Sequence, residues 1–152
     1  MPRVVLTTQR RVFEVNLFIW PVRVYYEDTD SGGVVYYANY LKFMERARTE
    51  WLRSFGIELD ALGREAGIMF VVRRVNIDYH RPARFNDLLQ VRTRLAQTGR
   101  ASMVFEQKIR REQDSEQDLL CAGHIKVACV AIDSLKPRPV PRSILTEIFD
   151  DS

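Results

Sequence analysis

The chain has 152 residues, the length of one ordinary domain, and its 46% apolar and 28% charged content is that of a globular protein with its own core. With 23 basic and 20 acidic residues the net charge is only +3, too weak a field to imply nucleic acid as a partner. No apolar run reaches transmembrane length, and the opening MPRVVLTTQRRVFEV mixes Arg and Glu among Val and Thr, which makes a poor signal peptide; the expectation is a cytoplasmic protein.

Residues 1–17 read as an N-terminal extension, loosely ordered or carrying a short extra strand, ahead of a single domain over residues 18–152. Val22 to Tyr26 is a β-branched and aromatic run that predicts a strand. An acidic turn, EDTDSGG, follows. From about Ala38 to Phe55, Tyr40, Leu41, Met44, Ala47, Trp51, Leu52 and Phe55 recur at three- and four-residue steps, the apolar stripe of a helix. Asn39, or the turn before it, would cap this helix, Gly56 would end it, and Arg46 and Glu50 are spaced to pair on its wet side. A shorter helix, roughly Glu58 to Ala66, ends at Gly67. The period then becomes two: Val75, Ile77 and Tyr79, then Leu89, Val91, Thr93 and Leu95, then, past Gly99, Met103, Phe105 and Ile109 alternate with polar partners. A polar turn at Gln113–Gln117 leads into Leu119 to Ile132, apolar on both faces and so a central strand. Pro137, Pro139 and Pro141 stop the sheet, and Ser143 would cap a last helix, Ile144 to Phe149. The layout is α+β, a curled antiparallel sheet with its long strands in meander order around one long helix. One helix cannot cover both faces of such a sheet, so a homodimer or larger symmetric assembly is expected.

The chemistry concentrates in the acidic turn. A helix start presents unpaired N–H groups and partial positive charge, and Asp28 and Asp30 stand just before one. Gly32 and Gly33 lack a Cβ, which lets a substrate or another backbone approach. A carboxylate beside an electrophile-polarising helix end suggests acyl transfer. A calcium loop fails, because Gly32 offers no side-chain oxygen and Asn39 stands where a bidentate Glu is needed. No P-loop Lys follows the glycines, and the chain has no GxSxG. The plainer structural role, in which the two carboxylates accept backbone N–H bonds, suits at least one of them. Cys121 and Cys129 read as reduced core residues, and His80 and His124 as structural, with no metal-ligand spacing. The basic clusters Arg10–Arg11, Arg73–Arg74 and Arg92–Arg94 would suit a phosphate-bearing ligand or serve simply as solvated strand faces.

The stretch WPVRVYYEDTDSGGVVYYANYLKFMERARTEWLR closely resembles the Tol-Pal-associated acyl-CoA thioesterase (YbgC-like) family of the 4-hydroxybenzoyl-CoA thioesterase-like hotdog superfamily. The resemblance continues through FVVRRVNIDYHRPARFNDLLQV and LKPRPVP and spans roughly Phe18 to Phe149. It implies a hotdog fold assembled as a dimer or tetramer, and metal-independent hydrolysis of acyl-CoA to a carboxylic acid and free coenzyme A. Coenzyme A enters only as part of the substrate, and no other cofactor is implied. Asp30 falls on the family's nucleophile or general base, and the backbone amide at Tyr37 on the donor that polarises the thioester carbonyl. Tyr26 matches a tyrosine near the carboxylate. Gly33 and Val34 fall at the substrate, and Arg100 near the loop that contacts phosphate. Many members carry His where this chain has Tyr37, which puts acyl preference in question. The thiol carrier is coenzyme A or acyl carrier protein. The alternative is a non-hydrolytic hotdog module that binds acyl groups or a partner of the cell-envelope Tol-Pal system. A hydroxyacyl dehydratase would want a His and acid pair, and neither His is near the motif.

Overall fold

The computed structural model describes residues 4–7, 10–13, 17–112 and 119–149. Its strands are β1 (Val4–Thr7), β2 (Arg10–Phe13), β3 (Phe18–Arg23), β4 (Ile68–Tyr79), β5 (Leu88–Thr98), β6 (Ser102–Arg111) and β7 (Leu119–Ala131), and its helices α1 (Asn39–Ser54), α2 (Leu59–Ala66) and α3 (Arg142–Phe149). Every strand pairing is antiparallel. The body of the sheet runs β4-β7-β6-β5-β3, curled around α1, the α+β layout expected of the pattern and the hotdog fold that the family resemblance implies. β1 and β2 form a hairpin that adds to the far end of β5, where Arg11 faces Thr98 and Val12 faces Gln97.

The expected meander holds for β5, β6 and β7. β4 departs from it, lying beside β7 and not beside its chain successor β5. It is also longer than Val75 to Tyr79, because Ile68–Val72 is apolar on both faces and carries no alternation to read. A register shift between Val72 and Arg74 separates that run from the alternating half. The first strand is shifted as well. It is Phe18–Arg23, and the chain turns at Tyr26–Asp28 in a short 3₁₀ segment where strand was expected through Tyr26. β7 is central as predicted, although only its second half, from Val127 on, is buried on both faces. The predicted turn at Gln113–Gln117 lies outside the described residues.

α1 buries Tyr40, Phe43, Met44, Ala47, Trp51 and Leu52 against the concave face of the sheet, each large side chain contributing about 1.5–3 kcal/mol. Gly56, at φ +79°, ends the helix as expected, and Gly67, at φ +66°, ends α2. Glu50 pairs with Arg53 and not with Arg46, and Arg53 also reaches Glu58. Ser143 lies inside α3 and caps nothing; the carbonyl of Pro141 takes the first two N–H bonds there. One polar network crosses the core. Gln107, fully buried on β6, donates to the Met44 carbonyl of α1 and to the Thr93 hydroxyl of β5, and its Oε1 accepts from Arg48 at 3.0 Å. Cys121 and Cys129 are free and buried, and burial pushes the Cys121 thiol up to about 12, which removes it as a nucleophile.

Candidate active site

The acidic turn is built from backbone bonds that its own sequence invites. Asp28 Oδ2 accepts the Tyr25 N–H at 2.8 Å and closes the 3₁₀ turn, while the Asp28 carbonyl accepts the Tyr36 N–H at 3.0 Å. Asp28 therefore holds the turn. Asp30 stands two residues on, exposed, in a loop closed by Asp30 N–H to Val34 O at 2.9 Å and Gly33 N–H to Asp30 O at 3.0 Å. Gly33 sits at φ +79° with open space around its missing Cβ, so the position requires a conformation and not room. At Gly32 the restriction is contact: a Cβ would meet Asp30 Oδ1 at 3.2 Å. Asp30 Oδ1 accepts the Gly32 N–H at 2.8 Å, and among the described residues Oδ2 accepts nothing. Each carboxylate thus takes one backbone bond; the two differ in exposure, Asp28 being half-buried in the turn and Asp30 exposed.

The helix start lies directly across the turn. Val35 N–H bonds the Ala83 carbonyl at 2.9 Å, the buried Tyr40 hydroxyl accepts the Ala83 N–H at 2.9 Å, and Tyr79 donates to the Tyr37 carbonyl at 3.0 Å. Burial pushes both Tyr40 and Tyr79 above the ordinary phenol range, which keeps the Tyr79 hydroxyl a donor. Among the described residues no acceptor takes the N–H of Tyr37 or of Ala38. Ala38 occupies the cap position without a side-chain cap, so these two donors remain at the positive end of the helix dipole. Asn39 does not cap the helix as expected; its Nδ2 donates across to the Asp28 carbonyl at 2.8 Å. Tyr36 is pushed above its ordinary value first by the neighbouring Tyr37 hydroxyl, through hydrogen bonding and charge, and then by burial and the Asp30 carboxylate. Beside them Tyr37, Tyr40, Tyr79, His80, Arg81 and Pro82 line an open groove of about 250 Å³. His80, expected from the sequence to lie away from the motif, therefore stands at the groove next to Tyr37, because β4 ends there.

Asp30, Gly33 and Val34 share one loop, closed by Asp30 N–H to Val34 O and Gly33 N–H to Asp30 O, and the Tyr37 amide stands at the helix start that follows it. Tyr26 is 74% exposed and stacks on Phe85, with ring centroids 3.8 Å apart, and makes no hydrogen bond to Asp30. Arg100 is placed elsewhere. It sits in the β5–β6 turn, at the opposite end of β5 from the loop that touches the acidic turn, roughly 30 Å away within one chain. His124 lies 3.6 Å from Glu106 on the outer sheet face, and Arg94 pairs with Glu106 at 2.9 Å, so that part of the Arg92–Arg94 cluster is a paired strand face. The described residues hold no group of three or more His, Cys, Asp or Glu side chains arranged for a metal. Among the described residues no helix is long and apolar enough to cross a membrane. The anchors missed from sequence are Tyr79 and Ala83. Tyr79 reads only as the end of an alternating strand, and Ala83 has no side chain to signal a role played by its backbone.

The family described as "Thioesterase superfamily" matches residues 32–117, more than half of the chain. The chain belongs to the thioesterase superfamily. The match begins two residues past Asp30. Longer similarities cover the turn as well. The thioesterase is 47% identical over 132 residues, 87% of its length, to the "Acyl-CoA thioester hydrolase YbgC" of Escherichia coli, 96% of which is covered. It is 44% identical to the "Acyl-CoA thioesterase YbgC" of Haemophilus influenzae, over 85% of this chain and 92% of that one. Among solved structures, a 1,4-dihydroxy-2-naphthoyl-CoA thioesterase from Synechocystis superposes with a TM-score of 0.80 at 26% identity, covering 89% and 97% of the two chains. A probable thioesterase from Bartonella henselae gives 0.75 at 34% identity, over 83% and 100%. The thioesterase is an enzyme of thioester hydrolysis, as its relatives are.

Proposed function

We propose that the protein hydrolyses acyl-CoA at the turn between Asp30 and the start of α1, without a metal or other cofactor. The observation that supports this reading is a helix start at which, among the described residues, the Tyr37 N–H has no acceptor, led into by the short loop whose Asp30 carboxylate is exposed with one oxygen unbonded. The thioester carbonyl oxygen takes the Tyr37 N–H, which contributes on the order of 2.7–4 kcal/mol to the transition state where charge develops on that oxygen. Asp30 then acts in one of two ways. As a general base it takes a proton from water while the hydroxide attacks the carbonyl carbon; the tetrahedral intermediate expels the thiolate, which is protonated to free coenzyme A. As a nucleophile it forms a mixed anhydride with release of the thiolate, and water opens the anhydride. Gly33 and Val34 line the approach.

The groove beside Tyr37 sets the acyl preference, with a phenol ring where many members of the family carry a side chain able to titrate near neutral pH. Coenzyme A and acyl carrier protein remain the two candidate carriers. We also infer a homo-oligomer. Among the described residues β4 is paired on one edge only, and Val72, Val75 and Tyr79 on it are 49%, 42% and 46% exposed. Antiparallel pairing of β4 with a second copy satisfies that edge and covers those side chains.

Thiol release from a panel of aliphatic and aromatic acyl-CoAs tests the reading. Wild type is expected to turn over at least one of them, and Asp30→Asn, which keeps the shape and loses the base, to lose about a hundredfold or more in kcat. Wild-type turnover by Asp30→Asn would end the proposal.

A further inference from the structure

Building on that reading, we infer that Asn39 is a positioning residue for the reaction: its buried amide fixes the distance between the Asp30 carboxylate and the Tyr37 N–H. Three observations support it. Asn39 is only 9% exposed, a buried polar side chain in the first turn of a helix it does not cap. Its Nδ2 crosses eleven residues of chain to the Asp28 carbonyl at 2.8 Å. Its own N–H donates to the Tyr36 carbonyl at 2.8 Å. The peptide unit whose carbonyl Asn39 holds is the one whose N–H belongs to Tyr37. The carbonyl its side chain holds lies two residues before Asp30. One residue therefore grips both sides of the reaction gap.

The grip has a physical reason to matter. The gap is otherwise spanned by Asp30 to Tyr36, a segment with two adjacent glycines, Gly33 at positive φ, whose backbones have more conformational freedom than those of other residues. The Tyr36 N–H to Asp28 O bond closes the same segment from within the loop, and the Ala83 and Tyr79 contacts tie the helix start to other elements and not to the acidic turn. The Asn39 amide supplies a second tether from the helix itself. Acyl transfer needs the attacking oxygen and the polarising donor registered to within about an ångström, and loss of that register costs up to about a hundredfold. Accepting from both donors also uses both lone pairs of the Asp28 carbonyl.

The test compares Asn39→Leu, which keeps the bulk and removes the donor, with Asn39→His, whose ring N–H can replace Nδ2, and with Ile148→Ala, a core truncation in α3 remote from the turn. Asn39→Leu is expected to lower kcat ten- to a hundredfold with KM within about twofold, and Asn39→His to recover part of the loss. Ile148→Ala is expected to lower Tm by at least as much while kcat stays within about twofold of wild type. Should Asn39→Leu prove insoluble, Asn39→Ser, which is too short to reach Asp28, carries the same expectation. Wild-type kcat in Asn39→Leu or Asn39→Ser, with Asp30→Asn inactive, overturns the positioning role and leaves the site reading intact. A matching kcat loss in Ile148→Ala also overturns it, since instability would then explain the effect. Activity in Asp30→Asn overturns the site reading, and the inference with it.

Discussion

At the scale of single residues, neighbouring positions of like chemistry do different work. Asp28 and Asp30 are the same side chain two positions apart, and each accepts one backbone N–H, yet Asp28 closes the 3₁₀ turn half-buried while Asp30 stands exposed. Gly32 and Gly33 differ in the same way, one needing space and the other a left-handed backbone. Gly33→Ala separates these requirements. A Cβ there meets nothing within 4 Å, so the expected penalty is conformational, about 1–2 kcal/mol. If the loop adopts an alternative backbone to avoid it, Asp30 moves. The expected outcome is a kcat loss of tenfold or more with a Tm loss of only a few degrees, read by thiol release and thermal unfolding. For Asp30 itself, single turnover in ¹⁸O-water tests the anhydride route. Label in the Asp30 carboxyl is expected where water opens the anhydride at the Asp30 carbonyl carbon, whereas the general-base route places label only in the released acid.

At the scale of elements, α1 is placed by more than its apolar stripe. Phe43, Met44 and Ala47 bring it to the sheet, but greasy contact alone tolerates sliding. The Gln107 network sets the register, because a helix carbonyl, a strand hydroxyl and the Arg48 guanidinium all meet one buried amide. Gln107→Ala leaves Thr93 and Arg48 short of a partner and opens a cavity, an expected cost of about 2–4 kcal/mol in urea unfolding. The N-terminal end of the helix is held separately, by Tyr40 and Val35 to Ala83 and by Tyr79 to Tyr37. Much of this was legible in the sequence. The three- and four-residue spacing located α1 within a residue at each end, and Gly56 and Gly67 marked the true stops. The caps were not legible, since Asn39 and Ser143 are good capping types whose bonding is decided by what lies opposite them.

At the scale of the whole molecule, β4 is the exposed boundary. Its free edge and its half-exposed Val72, Val75 and Tyr79 are an aggregation hazard unless a second copy covers them. The expected outcome is a dimer or a multiple of it in light scattering. Val72→Lys combined with Val75→Lys is expected to shift the mass toward monomer and to lower activity, because Tyr79 of the same strand anchors the Tyr37 peptide. The same scale explains Arg100. Within one chain it lies the length of β5 away from Asp30, so any part it takes in binding the substrate of this site needs a neighbouring copy.

Local patterning alone determined the element types, the α+β class, the buried central strand and the acidic turn with its helix start, because periodicity and glycine placement act over a few residues. The motif EDTDSGGVVYYANY also carried the family, which the similarity to acyl-CoA thioester hydrolases bears out. Tertiary structure decided the rest: that β4 returns beside β7, that Ala83 clamps the helix start, that Asn39 reaches back to Asp28, and that Arg100 stands at the other end of the sheet. Each of these is a pairing between positions far apart in the chain. The hydrogen-bond partner of a backbone group leaves no trace in the residue that bears it.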